Sequence, residues 1–88
     1  MTEMDKIKRL LETAEQQKLH FKVSTDDGVI FFIRKAKPIL RHASENESLL
    51  IDVFDKDNRQ VGWLSIENQE LREFSLQGPL ATLAEESQ

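Results

Sequence analysis

Two histidines, a handful of paired carboxylates and three isolated glycines are what this 88-residue chain offers for chemistry. An imidazole is the usual general base and metal ligand near neutral pH, but it needs partners within hydrogen-bond reach. His20 falls on the outward positions of an early strand pattern and His42 adjoins a loop, so both read as surface residues. Asp55, Asp57 and Arg59 begin like a calcium loop, D-x-D-x-[DN]-G. The match stops there: Arg59 stands where an oxygen ligand is needed, Gln60 replaces the glycine, and Ile66 replaces the bidentate glutamate. The stretch reads as a hairpin turn. Asp26-Asp27-Gly28 also reads as a turn, because adjacent carboxylates there stay solvated and share no defined geometry. No serine sits in G-x-S-x-G, and Gly28, Gly62 and Gly78 are too scattered to cradle a phosphate. With no cysteine there is neither a disulfide framework nor a cysteine zinc site. The sequence therefore assigns no catalytic residue, no metal ligand and no cofactor, and the chain reads as non-enzymatic.

One basic cluster stands out: Arg34, Lys35, Lys37 and Arg41, with His42 and Phe32 close by. Lysine and arginine supply most of the non-specific affinity for nucleic-acid phosphates, so these four are candidate contacts for nucleic acid or an acidic partner. Two observations disfavour that reading. The chain carries a net charge of −4, whereas nucleic-acid-binding domains are usually basic. Charges that close an apolar strand also serve to block edge-to-edge pairing.

The elements that would position these residues are organised around 49–66. Leu49, Leu50, Ile51, Val53 and Phe54 form one apolar strand, Asp55 to Gln60 a polar turn, and Val61, Trp63, Leu64 and Ile66 a second strand. Ahead of this hairpin, Met4, Ile7, Leu10, Leu11 and Ala14 recur at helical spacing over 2–17, with Thr2 and Asp5 placed as a capping box. Strands are expected at about 19–25, 29–37, 49–55, 61–66 and 71–77. Pro38 belongs at a sheet edge or outside the sheet, and 43–48 reads as the clearest loop. Gly78-Pro79 opens a short helix over about 79–86, since proline suits the first helical position. The whole, 1–88, is expected to be a single α+β domain. An N-terminal amphipathic helix would pack on a mostly antiparallel sheet of four to five strands, a meander of hairpins, with a short C-terminal helix. The apolar runs 29–33 and 49–54 are expected near the sheet centre.

Strand alternation carries the functional expectation. Leu49, Ile51 and Val53 share one face, while Leu50 and Phe54 share the other, as do Ile30 and Phe32. A sheet with one wet face alternates apolar and polar residues cleanly; this one does not. The first helix covers only one face. Ile30, Phe32, Leu50 and Phe54, with Leu64 or Ile66 as candidates to join them, would leave a patch on the order of several hundred Å² unless the C-terminal helix folds over it. The expectation is a small protein–protein interaction or regulatory module, such as an adaptor, inhibitor or accessory subunit, forming a homodimer through this face or an edge strand. The alternatives are a nucleic-acid-binding regulator using 34–42, and a small-ligand sensor or enzyme with a pocket between helix and sheet. The N-terminal residues lack the apolar core of a signal peptide and no run is long enough to span a bilayer, which points to a cytoplasmic protein with no membrane partner.

Overall fold

The chain begins with Thr2 in an extended conformation, its hydroxyl accepting from the Asp5 amide at 3.1 Å while the Asp5 carboxylate accepts from the Thr2 amide at 3.3 Å. This capping box satisfies two amides that a helix start leaves unpaired. It opens α1, Glu3–Gln16, whose Ile7, Leu10, Leu11 and Ala14 are buried. The computed structural model describes residues 2–86, apart from the side chain of Ile30. Helix α1 ends in a Schellman motif: the Leu19 amide donates to the Ala14 carbonyl and the Lys18 amide to that of Glu15. Lys18 takes the left-handed conformation, φ 61°, that glycine usually supplies. The reversal feeds directly into the sheet.

Strands β1, His20–Ser24, and β2, Ile30–Ile33, pair antiparallel through the Asp26-Asp27-Gly28 turn. Gly28 sits at φ 75° and donates to the Thr25 carbonyl. The next segment departs from expectation. Instead of a strand running to 37 and a loop over 43–48, Ala36–Ser44 forms a helix, α2, burying Ala36, Ile39 and Ala43. Ala36, Ile39, Leu40 and Ala43 stand at i, i+3, i+4 and i+7, a helical stripe. Pro38 occupies the third helical position, within the first turn, where amides have no intrahelical acceptor to lose.

After α2 come β3, Leu49–Phe54, β4, Gln60–Glu67, and β5, Glu70–Ser75, all joined by hairpins. A last helix, α3, spans Pro79–Glu85 with proline at its first position. The five strands lie in the order β2-β1-β3-β4-β5, antiparallel throughout. The fold is α+β, as expected from the sequence. Two hairpin runs are joined by α2, which carries the chain from β2 past β1 to β3. That crossover places β3 at the centre and β2 at an edge, so the apolar run 29–33 is not central.

All three helices pack on one face of the sheet. Ile7, Leu10 and Leu11 of α1, Ile39 of α2 and Leu80 of α3 share one core with Phe21, Val23, Ile51, Val53, Leu64 and Ile66 from β1, β3 and β4. Helix α1 lies between the other two and contacts both. Leu64 and Ile66 thus belong to the covered face, and α3 adds to that layer instead of crossing to the other side. Among the described residues, no buried side-chain nitrogen or oxygen lacks a hydrogen-bond partner, and no helix is long and apolar enough to cross a membrane.

Two substitutions probe this arrangement. Replacing the fully buried Ile51 with Ala should cost about 2–5 kcal/mol, measured by chemical denaturation, whereas Leu50→Ala, on the opposite face of the same strand, should cost a small fraction of that. Gly62 faces the core side opposite Val53; a Cβ there would meet the Ser75 carbonyl oxygen at 2.6 Å and Leu76 Cδ2 at 3.2 Å. Gly62→Ala should therefore destabilise by about 1–3 kcal/mol through forced separation of β4 and β5.

Candidate functional site

The sheet face that no helix covers is built by strand alternation alone. The ladder sets Phe32, Lys22, Asp52, Trp63 and Ser75 in one row across β2, β1, β3, β4 and β5. A second row carries Ile30, Ser24, Leu50, Ser65 and Glu73. Phe32 is 73% exposed and Leu50 44%, unusually open for large apolar side chains. Phe54, half-buried, meets the Phe32 ring with centroids 6.2 Å apart, a tilted aromatic pair that reaches over β1. Of the four residues expected on this face, Phe32, Leu50 and Phe54 are there. Ile30 pairs with Ser24, but its side chain lies outside the described residues.

The face is less uniformly apolar than its flanking strands suggest. His20, Lys22 and Ser24 of β1 run between the aromatic residues of β2 and β3. Lys22 stands directly opposite Asp52, whose carboxylate accepts from the Gln60 side-chain Nε2 at 3.1 Å. Trp63 enters the same row beside Asp52. The result is a mixed surface, apolar at the β2 flank, polar at the β5 flank with Ser75 and Glu73, and carrying both charge signs between them.

The basic cluster lies elsewhere. Arg34 and Lys35 close β2, while Lys37 and Arg41 are exposed on α2. Helix α2 has no side-chain cap of its own, since Lys35 stands at the N-cap. The Glu15 carboxylate of α1 takes that role, accepting from the Ala36 amide at 2.9 Å. An anion from within the fold thus holds the place where a phosphate would dock. Arg41 is partly neutralised as well, with its Nε 3.4 Å from Glu45.

His42 points from the last turn of α2 toward Glu47, its Nδ1 lying 3.3 Å from Oε2 and 3.4 Å from Oε1. The Phe31 ring packs against the imidazole at 5.2 Å between centroids. Asn46, at φ 66°, turns the chain just after α2 and brings Glu47 back beneath the helix. One ligand atom from each of His42, Glu45 and Glu47 falls within 4.8 Å of the others. The sequence reading did not find this grouping. Its spacing, H-x-x-E-x-E, has meaning only once 36–44 is known to be helical.

The remaining candidates are structural. Asp55 Oδ1 accepts from the amides of Asp57 at 2.8 Å and Arg59 at 3.0 Å, so the D-x-D stretch is a side-chain-pinned turn. The Arg59 amide bond is the main reason the Asp55 carboxyl is held below its ordinary range, with the Asp57 amide and the nearby Arg59 and Lys56 charges adding to it and partial desolvation opposing. His20 lies on the open face, opposite Phe54. Between the end of the sheet and α3, Leu19, Val53, Val61, Leu76 and Leu80 line a small apolar pocket. A wider groove between α1 and α2 mixes Met4 and Leu40 with Lys8, Glu12 and Lys35.

No family model, curated protein or solved structure matches this chain.

The Glu15 cap is the tie between α1 and α2 that can be tested singly. Glu15→Ala should lower stability by about 0.5–2 kcal/mol, the usual cost of removing a helix cap, and should speed exchange of the Ala36 amide. Glu15→Gln, which keeps an acceptor oxygen, should lose less.

Proposed function

We propose that this chain is a non-enzymatic protein-binding module that works through the open face of its sheet, and that a second copy of the chain occupies that face. The observation that carries the reading is the placement of all three helices on the other side, which leaves Phe32 73% exposed and in tilted contact with Phe54. Burying an aromatic side chain of that size is the largest single gain an interface on this surface offers.

Two features favour a second copy as the occupant. The first is area. Five strands about 4.8 Å apart, each about six residues long at ~3.3 Å per residue, present roughly 500 Å² in projection. Two such faces bury roughly 1,000 Å², near the lower bound for a specific interface. The second is charge. Lys22 and Asp52 lie side by side in the centre of the patch, and a two-fold axis brings the same patch onto itself turned over. A surface that carries both signs is complementary to its own inverted copy. The polar stripe of β1 also suits an association that exchanges with monomer, since non-obligate interfaces are no more apolar than ordinary surface. A regulatory or accessory role follows from such an exchange, in which the free face is the form available to other partners.

Sedimentation velocity over a concentration series tests this directly. The wild-type chain should move from monomer to dimer as concentration rises. Phe32→Asp and Leu50→Lys should hold it monomeric at every concentration with an unchanged far-UV circular dichroism spectrum. A wild-type chain that stays monomeric up to its solubility limit sinks the proposal, and so does a Phe32→Asp variant that dimerises as well as wild type.

A further inference from the structure

We propose that His42, Glu45 and Glu47, at the C-terminal end of α2, form a binding site for a divalent transition cation of the zinc type. This site is on the helical side of the molecule and is independent of the open face. One imidazole and two carboxylates are a donor set that borderline metals accept, whereas calcium and magnesium prefer oxygen alone.

The His42–Glu47 distances suit coordination as well as a long hydrogen bond. An N–H to oxygen bond has its optimum near 2.9–3.0 Å, and His42 Nδ1 stands 3.3 and 3.4 Å from the two Glu47 oxygens. Two ligands bound to one tetrahedral zinc at about 2.0–2.2 Å each lie roughly 3.3–3.6 Å apart. The His42–Glu47 spacing is already the edge of such a tetrahedron. The third ligand atom, from Glu45, lies within 4.8 Å of the other two. Its present partner, Arg41, has a side chain 81% exposed and an Nε contact of 3.4 Å, so it gives way to solvent without loss of packing. Water would supply the fourth ligand.

The site is also held in place. The side chains of His42 and Glu47 are 27% and 26% exposed, so neither is a freely swinging surface group. Phe31 packs on the imidazole, and the left-handed Asn46 sets the backbone that returns Glu47 to it. The last turn of α2 adds the negative end of the helix dipole, which favours a cation there. A bound cation would take the lone pair of Nδ1 in the neutral imidazole, whose one ring proton would then sit on Nε2.

The untagged 88-residue chain titrated with Zn²⁺, and then with Co²⁺ as a spectroscopic probe, tests the site. Zinc should bind at one equivalent, raise the melting temperature and shift the His42 ring resonances while leaving those of His20 unmoved. His42→Ala and Glu47→Gln should each weaken binding by at least about tenfold, or 1.4 kcal/mol; His20→Ala should not change it. Glu47→Gln keeps side-chain volume and hydrogen bonding, so it decides the matter if His42→Ala fails to fold. The proposal is overturned if stoichiometric zinc produces neither a melting shift nor a ring shift. It is equally overturned if binding survives Glu47→Gln, if it follows His20, or if Ca²⁺ is bound as tightly as Zn²⁺.

Discussion

The structure depends on one constraint: a five-stranded sheet has two faces, and the chain provides helical cover for only one of them. Helix α1 supplies the middle of that cover, and α2 and α3 dock on either side of it. Every fully buried strand residue, from Phe21 to Ile66, points to this layer. Burial of that apolar surface is the main favourable contribution to folding. The opposite face receives no helix from the fold itself.

Connectivity follows from the same requirement. Strand β2 and strand β3 run parallel with β1 between them, so the chain has to pass over the sheet to get from one to the other. Helix α2 makes that passage on the covered side and adds Ala36, Ile39 and Ala43 to the core. Its start is held by a carboxylate 21 residues earlier in the chain. The two ends of α2 are thereby given different chemistry. A carboxylate from α1 caps the positive end, and a histidine with two glutamates gathers at the negative end.

Much of this was legible in the residues. The apolar spacing of α1, its Thr2–Asp5 box, the Asp-Asp-Gly turn and the strand alternation at 49–54 are local signals, and local hydrogen bonding and packing obey them. Helix α2 is hidden by Pro38 and three neighbouring cations, which argue against regular structure unless proline's tolerance in the first turn is counted. The stripe Ala36, Ile39, Leu40 and Ala43 was the signal that would have shown it. The placement of 29–33 at an edge was not legible at all, since strand order depends on how α2 crosses the sheet. Three of the residues expected on the open face are found there, but Leu64 and Ile66 face the core, because a one-residue uncertainty in a five-residue turn exchanges the two faces of the strand after it. Glu15 and Glu47 gave no sequence signal, as their roles arise from tertiary proximity.

The shortness of β2 has a consequence for how copies of this chain can meet. It is an edge strand of four residues, followed at once by Arg34 and Lys35 and then by a helix that turns the backbone away. Its free amides and carbonyls form too brief a template for another strand to extend the sheet, and the cations beside it repel a like edge. Growth of the sheet from molecule to molecule, the route that leads to fibres, is therefore discouraged at that side. Contact through the face is of a different kind, because two faces turned toward each other use up both. An assembly made that way closes at two, because neither face is left to take a third copy.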